Sequence, residues 1–297
     1  MSDLQRSALL IVNPVSGKKL VLRYLPQIVR TLMDAGYLVT FMVTARRGEA
    51  TEFAARYGGR HDLVCCTGGD GTLNETVSGL AREGISVPVG YIPCGSTNDF
   101  AVSRGLSPDI PTAAAAIAAG RRRRFDIGRF GEGYFTYVAA FGAFSWLSYT
   151  TDQNLKNLLG HTAYILDGVK DLSRIKPLHV RLKADGRVYE GDYIFGAVCN
   201  STSVAGTIQL PEDEVDTCDG KFEVLLIHYP MNLQELDQTV RGVLTQDYSG
   251  TNIDFFHASE IEIDNGPDVD WTTDGEAAPG GSHIRISPLR AFLELQG

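Results

Sequence analysis

Between residues 8 and 92 short apolar runs alternate with helical periodicities. "ALLIV" (8–12), "LVTFMV" (38–43), "LVCC" (63–66) and "VPVGYI" (87–92) read as strands. Between the first two, Val21, Leu25, Ile28 and Leu32 recur at helical spacing and Gly36 stands where a closing glycine belongs, which predicts a helix over 20–35. Further helices are expected over 49–57 and after Thr72. Strands separated by helices of this length form βαβ units, so a parallel sheet with helices on both faces is expected.

After Asp126 the pattern changes to long alternating runs: 134–142, 178–200 and 220–229, with two more near 252–264 and 282–296. Asp185-Gly186 inside the second run is a hairpin signal, because both central residues of a type I′ turn need positive φ. A helix near 233–245 interrupts the series, with Asn232 and Glu235 spaced as cap and N3 residue. The expected architecture is α/β: a three-layer parallel-sheet domain over 1–127, then an antiparallel β-sandwich domain over 128–287. The segment 288–297 is a candidate to return to the first domain.

The length of 297 residues accommodates two cores of this kind, and a formal net charge of -9 argues against nucleic acid as the main partner. Five cysteines without a CxxC pair suggest neither a zinc cage nor a disulfide framework, which fits a reducing cytoplasm. The start "MSDLQRSALLIVNP" lacks the charged and apolar regions of a signal peptide, and no apolar run reaches membrane-span length. Any membrane contact is therefore expected to be peripheral. Arg121–Arg124 follow an alanine-rich helix, where they either offset the helix dipole or face an anionic surface.

Candidate chemistry lies in three polar, glycine-bearing loops that follow predicted strands. "TGGDGTLNET" (67–76) joins strand to helix, with Thr72 and Glu75 spaced as a capping box. "IPCGSTNDFA" (92–101) repeats the arrangement with Ser96 and Asp99, and "VNPVSGK" follows the first strand. All three fall at the carboxyl edge of the sheet, where open α/β sheets bind ligands, and helix N-termini there suit phosphate. The G-x-G-x-x-G and P-loop patterns are absent.

"NPVSGK" (13–18), "GGDGTLNE" (68–75) and "PCGSTNDFA" (93–101) resemble, in order and spacing, the diacylglycerol kinase catalytic domain, most closely soluble bacterial lipid kinases related to diacylglycerol and sphingosine kinases. "FDIGRF" (125–130), "LGHTAY" (159–164), "DGKFEV" (219–224) and "TDGE" (273–276) extend the resemblance along the chain. It implies a first domain like that of NAD kinase and phosphofructokinase, and ATP and Mg2+ as cofactors. It places the nucleotide among Asn13, Ser16, Gly17, Thr44, Gly68, Gly69, Gly71, Thr72, Glu75, Gly95, Ser96, Thr97 and Asn98. Asp70, Asp99 and Asp126 are implied to organise a magnesium–water network, and Asp216, Asp219 and Lys221 a separate structural magnesium site. Asp274 is implied as the general base, with Glu276 beside it.

Two positions depart from the family's usual pattern, Ser96 for threonine and Val102 for arginine. Serine keeps the hydroxyl, while the lost arginine alters the surface beside the cleft. The resulting expectation is a cytoplasmic, peripherally membrane-acting kinase that moves the γ-phosphate of ATP to a lipid hydroxyl. Diacylglycerol leads; phosphatidylglycerol, ceramide or a prenol remain open, as does a homodimer. A kinase of the NAD kinase group and a nucleotide-binding module without catalysis are the alternatives. The apolar stretches 141–151 and 158–164 are candidates to receive acyl chains, or else core.

Overall fold

The computed structural model describes residues 6–17, 20–142, 176–204, 208–250, 252–265 and 269–297. The stretch 158–164, with its "LGHTAY" motif, and most of 141–151 lie outside the described residues, as does Lys18.

Strands β1 (Arg6–Val12), β2 (Tyr37–Val43), β3 (Leu63–Gly68) and β4 (Val89–Pro93) alternate with helices α1 (Leu20–Asp34), α2 (Glu49–Tyr57) and α3 (Asp70–Arg82). The four strands pair in parallel in the order β4-β3-β1-β2. Alternation within β1 shows why helices cover both faces. Ala8, Leu10 and Val12 pack with Val21, Ile28 and Leu32 of α1. Leu9 and Ile11 pack on the other side with Ala54 of α2 and Leu73, Val77 and Leu80 of α3. After β4 come the short α4 (Asp99–Ser103) and α5 (Ile110–Ala119), the latter capped by Asp109, whose carboxylate accepts from the Thr112 N–H.

The second lobe is antiparallel: β5 (Arg122–Phe130), β6 (Gly133–Phe135), β7 (Val138–Gly142), β8 (Leu178–Ala184), β9 (Arg187–Cys199), β12 (Phe222–His228), β13 (Ile253–Ala258), β14 (Ile261–Asn265), β15 (Trp271–Thr273) and β16 (Glu276–Ala278). A small separate pair, β10 (Ser203–Val204) and β11 (Ile208–Gln209), and helix α6 (Leu233–Thr245) complete it. The 178–200 run folds as the expected hairpin, with positive φ at Asp185 (44°) and Gly186 (87°). Asn232 caps α6 by accepting from the Glu235 N–H. The run 134–142 breaks instead into β6 and β7, because the N–H groups of Thr136, Tyr137 and Val138 turn toward one carboxylate.

The last strand, β17 (His283–Gln296), belongs to both lobes. It lies antiparallel between β14 and β5, shifts register between Leu289 and Leu293, and ends with Leu295 beside Val89, parallel to β4. Residues 288–296 thus carry the antiparallel sheet into the parallel one. One core also runs through: Leu9 and Leu73 share a cluster with Phe195, Ala197 and Leu225. Arg122–Arg124 are part of β5, past the αL Gly120 that closes α5, so they do not form the helix's last turn. Arg122 and Arg124 flank Glu294 on β17 (2.9 and 3.1 Å), and Arg123 donates to the Arg104 carbonyl.

Candidate active site

The three loops meet at the carboxyl edge of the parallel sheet and lock together through backbone contacts. Asn13 donates from its N–H to the Thr67 carbonyl and from its side chain to Thr72 Oγ1, both at 3.0 Å. Gly17 has φ +51° and lies against the Cys94 carbonyl, where any Cβ would collide. Gly69 and Gly95 touch backbone to backbone: a Cβ on Gly95 would lie 2.5 Å from the Gly69 Cα. Asn98 folds the third loop by accepting from the Gly95 N–H and donating to the Gly95 carbonyl.

Both expected cap arrangements differ in the structure. Helix α3 begins at Asp70 behind an extended Gly69, so Thr72 and Glu75 sit inside its first turns. Their side chains are used elsewhere. Thr72 receives Asn13, and Glu75 accepts the Gly48 N–H at 2.8 Å, tying the β2–α2 loop to α3. Helix α4 starts behind Asn98 in the αL region, without a side-chain cap of its own. Asp70 supplies that cap, accepting the N–H groups of Asp99 (2.9 Å) and Phe100 (3.2 Å). A carboxylate 29 residues upstream thereby sets the direction of the helix that carries Asp99.

These loops open onto a cavity of about 790 Å3. Asn13, Ser16, Gly17, Thr44, Gly69, Gly71, Thr72, Glu75, Gly95 and Ser96 line it, facing Thr273, Glu276 and Ala278 of the second lobe. Gly68 and Asn98 are not among the lining residues, and neither is the exposed Thr97: the Gly68 carbonyl accepts from Tyr91 and from the Cys94 N–H.

The 273–276 segment is a hairpin with Asp274 (φ 49°) and Gly275 (φ 79°) at its tip. Asp274 is only 3% exposed, and its carboxylate accepts five bonds: from Asn74 Nδ2 (2.7 Å), Thr136 N–H (2.7 Å) and Oγ1 (2.8 Å), Tyr137 N–H (3.0 Å) and Val138 N–H (3.1 Å). Burial raises its pKa, against the pull of those donors. A side chain so enclosed anchors the hairpin and α3 to the β6–β7 break. The expectation that Asp274 takes the acceptor's proton does not suit this geometry, since both oxygens are occupied and face inward. Glu276, two residues on, faces the cavity.

Asp70 and Asp99, next in sequence to or near the lining residues Gly69, Gly71 and Ser96, are brought together by the Asp99 N–H bond to Asp70. Burial raises the pKa of both, and for Asp70 the charges of Asp99 and Asp274 add to it, with two backbone N–H bonds opposing. Tyr137, also raised by burial, feels the same three carboxylates. Carboxylates gathered without a cationic partner among the described residues suit a hard cation such as Mg2+, which retains waters and so does not need a tight ligand cage. Among the described residues no group of three His, Cys, Asp or Glu has direct metal-ligand spacing, so a cation here would be held partly through water.

Asp126 does not join this pair. It is fully buried, and its oxygens accept the N–H groups of Gly220 (2.6 Å) and Ala291 (2.5 Å), clamping the 216–221 loop and the kink of β17. Asp216 and Asp219 each accept an N–H within that loop, from Cys218 and Lys221. Asp126→Asn is expected to lower stability by about 1–3 kcal/mol, because the new amide turns a donor toward an N–H. Any response of activity to Mg2+ should be the same in the variant as in the wild type. Urea unfolding and a Mg2+ titration check the two halves.

A buried polar node links α4 to the same region. Arg104 donates to the Asn200 carbonyl (2.6 Å), and Asn200 Nδ2 to the Asp126 carbonyl (2.6 Å). Burial drives the Arg104 pKa down to about 10 and that of neighbouring Glu223 up to about 8.

Asn74, Thr136, Tyr137 and Arg47 are the site residues that sequence reasoning missed. Asn74 stands inside "GGDGTLNE", so its motif could have marked it. The others belong to no motif, and only the fold brings them to the cleft.

Comparison with known proteins agrees with this architecture. Residues 7–130 match the diacylglycerol kinase catalytic domain, and residues 145–290 the YegS C-terminal NAD kinase beta sandwich-like domain. The chain is 33% identical over 279 residues to a diacylglycerol kinase of Staphylococcus saprophyticus subsp. saprophyticus, covering 92% of this chain and 90% of that protein. With a diacylglycerol kinase of Bacillus subtilis (strain 168) it shares 32% over 274 residues, covering 91% and 90%. The crystal structure of a diacylglycerol kinase from Bacillus anthracis str. Sterne has the same fold, with a TM-score of 0.75 at 24% identity over 98% of this chain and 96% of that one. With glycine loops, cleft and two-lobe fold all in agreement, the chain belongs to the diacylglycerol kinase family of ATP-dependent, lipid-kinase-like phosphotransferases.

Proposed function

We propose that this protein transfers the γ-phosphate of ATP to the hydroxyl of diacylglycerol, yielding phosphatidic acid. The observation that carries the reading is the shared cavity: glycine loops suited to a triphosphate form one wall and Glu276 stands in the other. Phosphoryl transfer depends mainly on positioning and charge neutralisation, and the loop backbones supply the first. Asp70 and Asp99 would hold Mg2+ through water, and when bound the ion would neutralise charge on the phosphates. Glu276 takes the proton of the attacking hydroxyl, while Asp274 holds the hairpin that presents it.

The named activity of the relatives supports diacylglycerol as acceptor. Among the described residues no helix is long and apolar enough to cross a membrane, and we assign the protein to peripheral contact with the lipid from the cytoplasmic side. The deciding experiment incubates purified protein with γ-labelled ATP and mixed micelles containing diacylglycerol, phosphatidylglycerol, ceramide or a prenol in turn, with mass spectrometry of the product. Label in phosphatidic acid is expected. Label only in another lipid replaces the substrate, and label only in NAD or a soluble sugar overturns the lipid reading.

A further inference from the structure

We propose that in the nucleotide-free protein Glu276 occupies the place of a nucleotide phosphate, held there by Arg47, and that an incoming triphosphate takes over both the place and the arginine. The inference rests on the ATP reading of the cleft.

One ion pair and one close approach define the position of the Glu276 carboxylate. One oxygen lies 3.4 Å from where a Gly71 Cβ would project, beside the first turn of α3. The partial positive charge of a helix N-terminus favours an anion there. The other oxygen lies 3.0 Å from Arg47 Nη2, which reaches across from the β2–α2 loop. A glutamate from the second lobe therefore pairs with the cation, and stands beside the helix end, that the nucleotide lobe offers a phosphate.

The neighbouring charges are engaged elsewhere. Arg46 pairs with Glu49 and Glu52, and Glu75 accepts the Gly48 N–H. Arg47 is thus the described cavity-lining cation whose ionic partner lies across the cleft. Its side chain is 72% exposed and that of Glu276 52%, so the pair is weakly held. A triphosphate carries more charge and matches the planar guanidinium fork, and it displaces the single carboxylate.

The test measures nucleotide affinity alone, without lipid. AMP-PNP and adenosine are titrated calorimetrically into the wild type, Glu276→Gln, Arg47→Ala and Arg47→Lys. Because a charge-assisted contact is at stake, Glu276→Gln is expected to bind AMP-PNP about 5-fold tighter and Arg47→Ala about 10-fold more weakly. Arg47→Lys should fall between Arg47→Ala and the wild type, and adenosine affinity should not change. An unchanged or weakened AMP-PNP affinity in Glu276→Gln overturns the exchange, as does an unchanged affinity in Arg47→Ala. Failure of the wild type to bind AMP-PNP would instead undo the nucleotide reading, so the two failures are distinct.

Discussion

Asp274→Asn is expected to slow phosphoryl transfer by on the order of a hundredfold and also to destabilise the fold, by at least about 2 kcal/mol. Five donors from two chain segments, Asn74 and residues 136–138, converge on this carboxylate. Asparagine offers one acceptor oxygen. Turned one way, its NH2 faces the Tyr137 and Val138 N–H groups; turned the other, it faces Asn74 and Thr136. Either orientation leaves buried donors unpaired, and each such loss costs roughly 1–3 kcal/mol. The hairpin then loosens, and a displacement of about 1 Å at Glu276 suffices to cost on the order of a hundredfold in rate. Urea denaturation and the transfer assay read the two effects together. A variant as stable as the wild type but inactive would return Asp274 to the role of base and remove its role as anchor.

Gly95→Ala carries the second large effect, an ATP affinity lower by about 10- to 100-fold, from the roughly 1–3 kcal/mol that overpacking costs. The added methyl would stand 2.5 Å from the Gly69 Cα and 2.8 Å from Asn98 Oδ1. Its main obstacle is backbone, which has no rotamer to yield, so the second and third loops must separate. That separation also strains the two Asn98 bonds that shape the third loop. Gly250→Ala, where nothing lies within 4 Å, serves as the control and should leave affinity unchanged. Normal nucleotide binding by Gly95→Ala would mean that the loops need not touch.

The sequence made the parallel sheet legible because strands buried on both faces must be apolar throughout, as in "ALLIV" and "LVCC", and such runs survive any tertiary detail. Asp185-Gly186 and Asn232-Glu235 were legible for a related reason: turn and cap act within four residues. Capping of α4 by Asp70 works across 29 residues, and local spacing pointed instead to Ser96. The same holds for 134–142, whose alternation reads as one strand. Its break answers to Asp274, more than a hundred positions away. Within the site, glycines and polar loops announced the nucleotide wall. The distinction between Asp274 and Glu276 depends on which side chain faces inward, and two acids flanking one glycine look alike until a hairpin orients them.

The shared strand β17 has a consequence for biosynthesis. Among the described residues the outer edge of β4 pairs with β17, at Leu295, and the residues of that strand are made after every other strand and helix described above. Until the ribosome has delivered them, the nascent nucleotide lobe exposes an open strand edge, the kind of surface that invites misassociation. Completion of the nucleotide lobe thus waits for a segment made long after its other strands. Cleavage within residues 293–296 should therefore damage the glycine loops before it disturbs the sandwich.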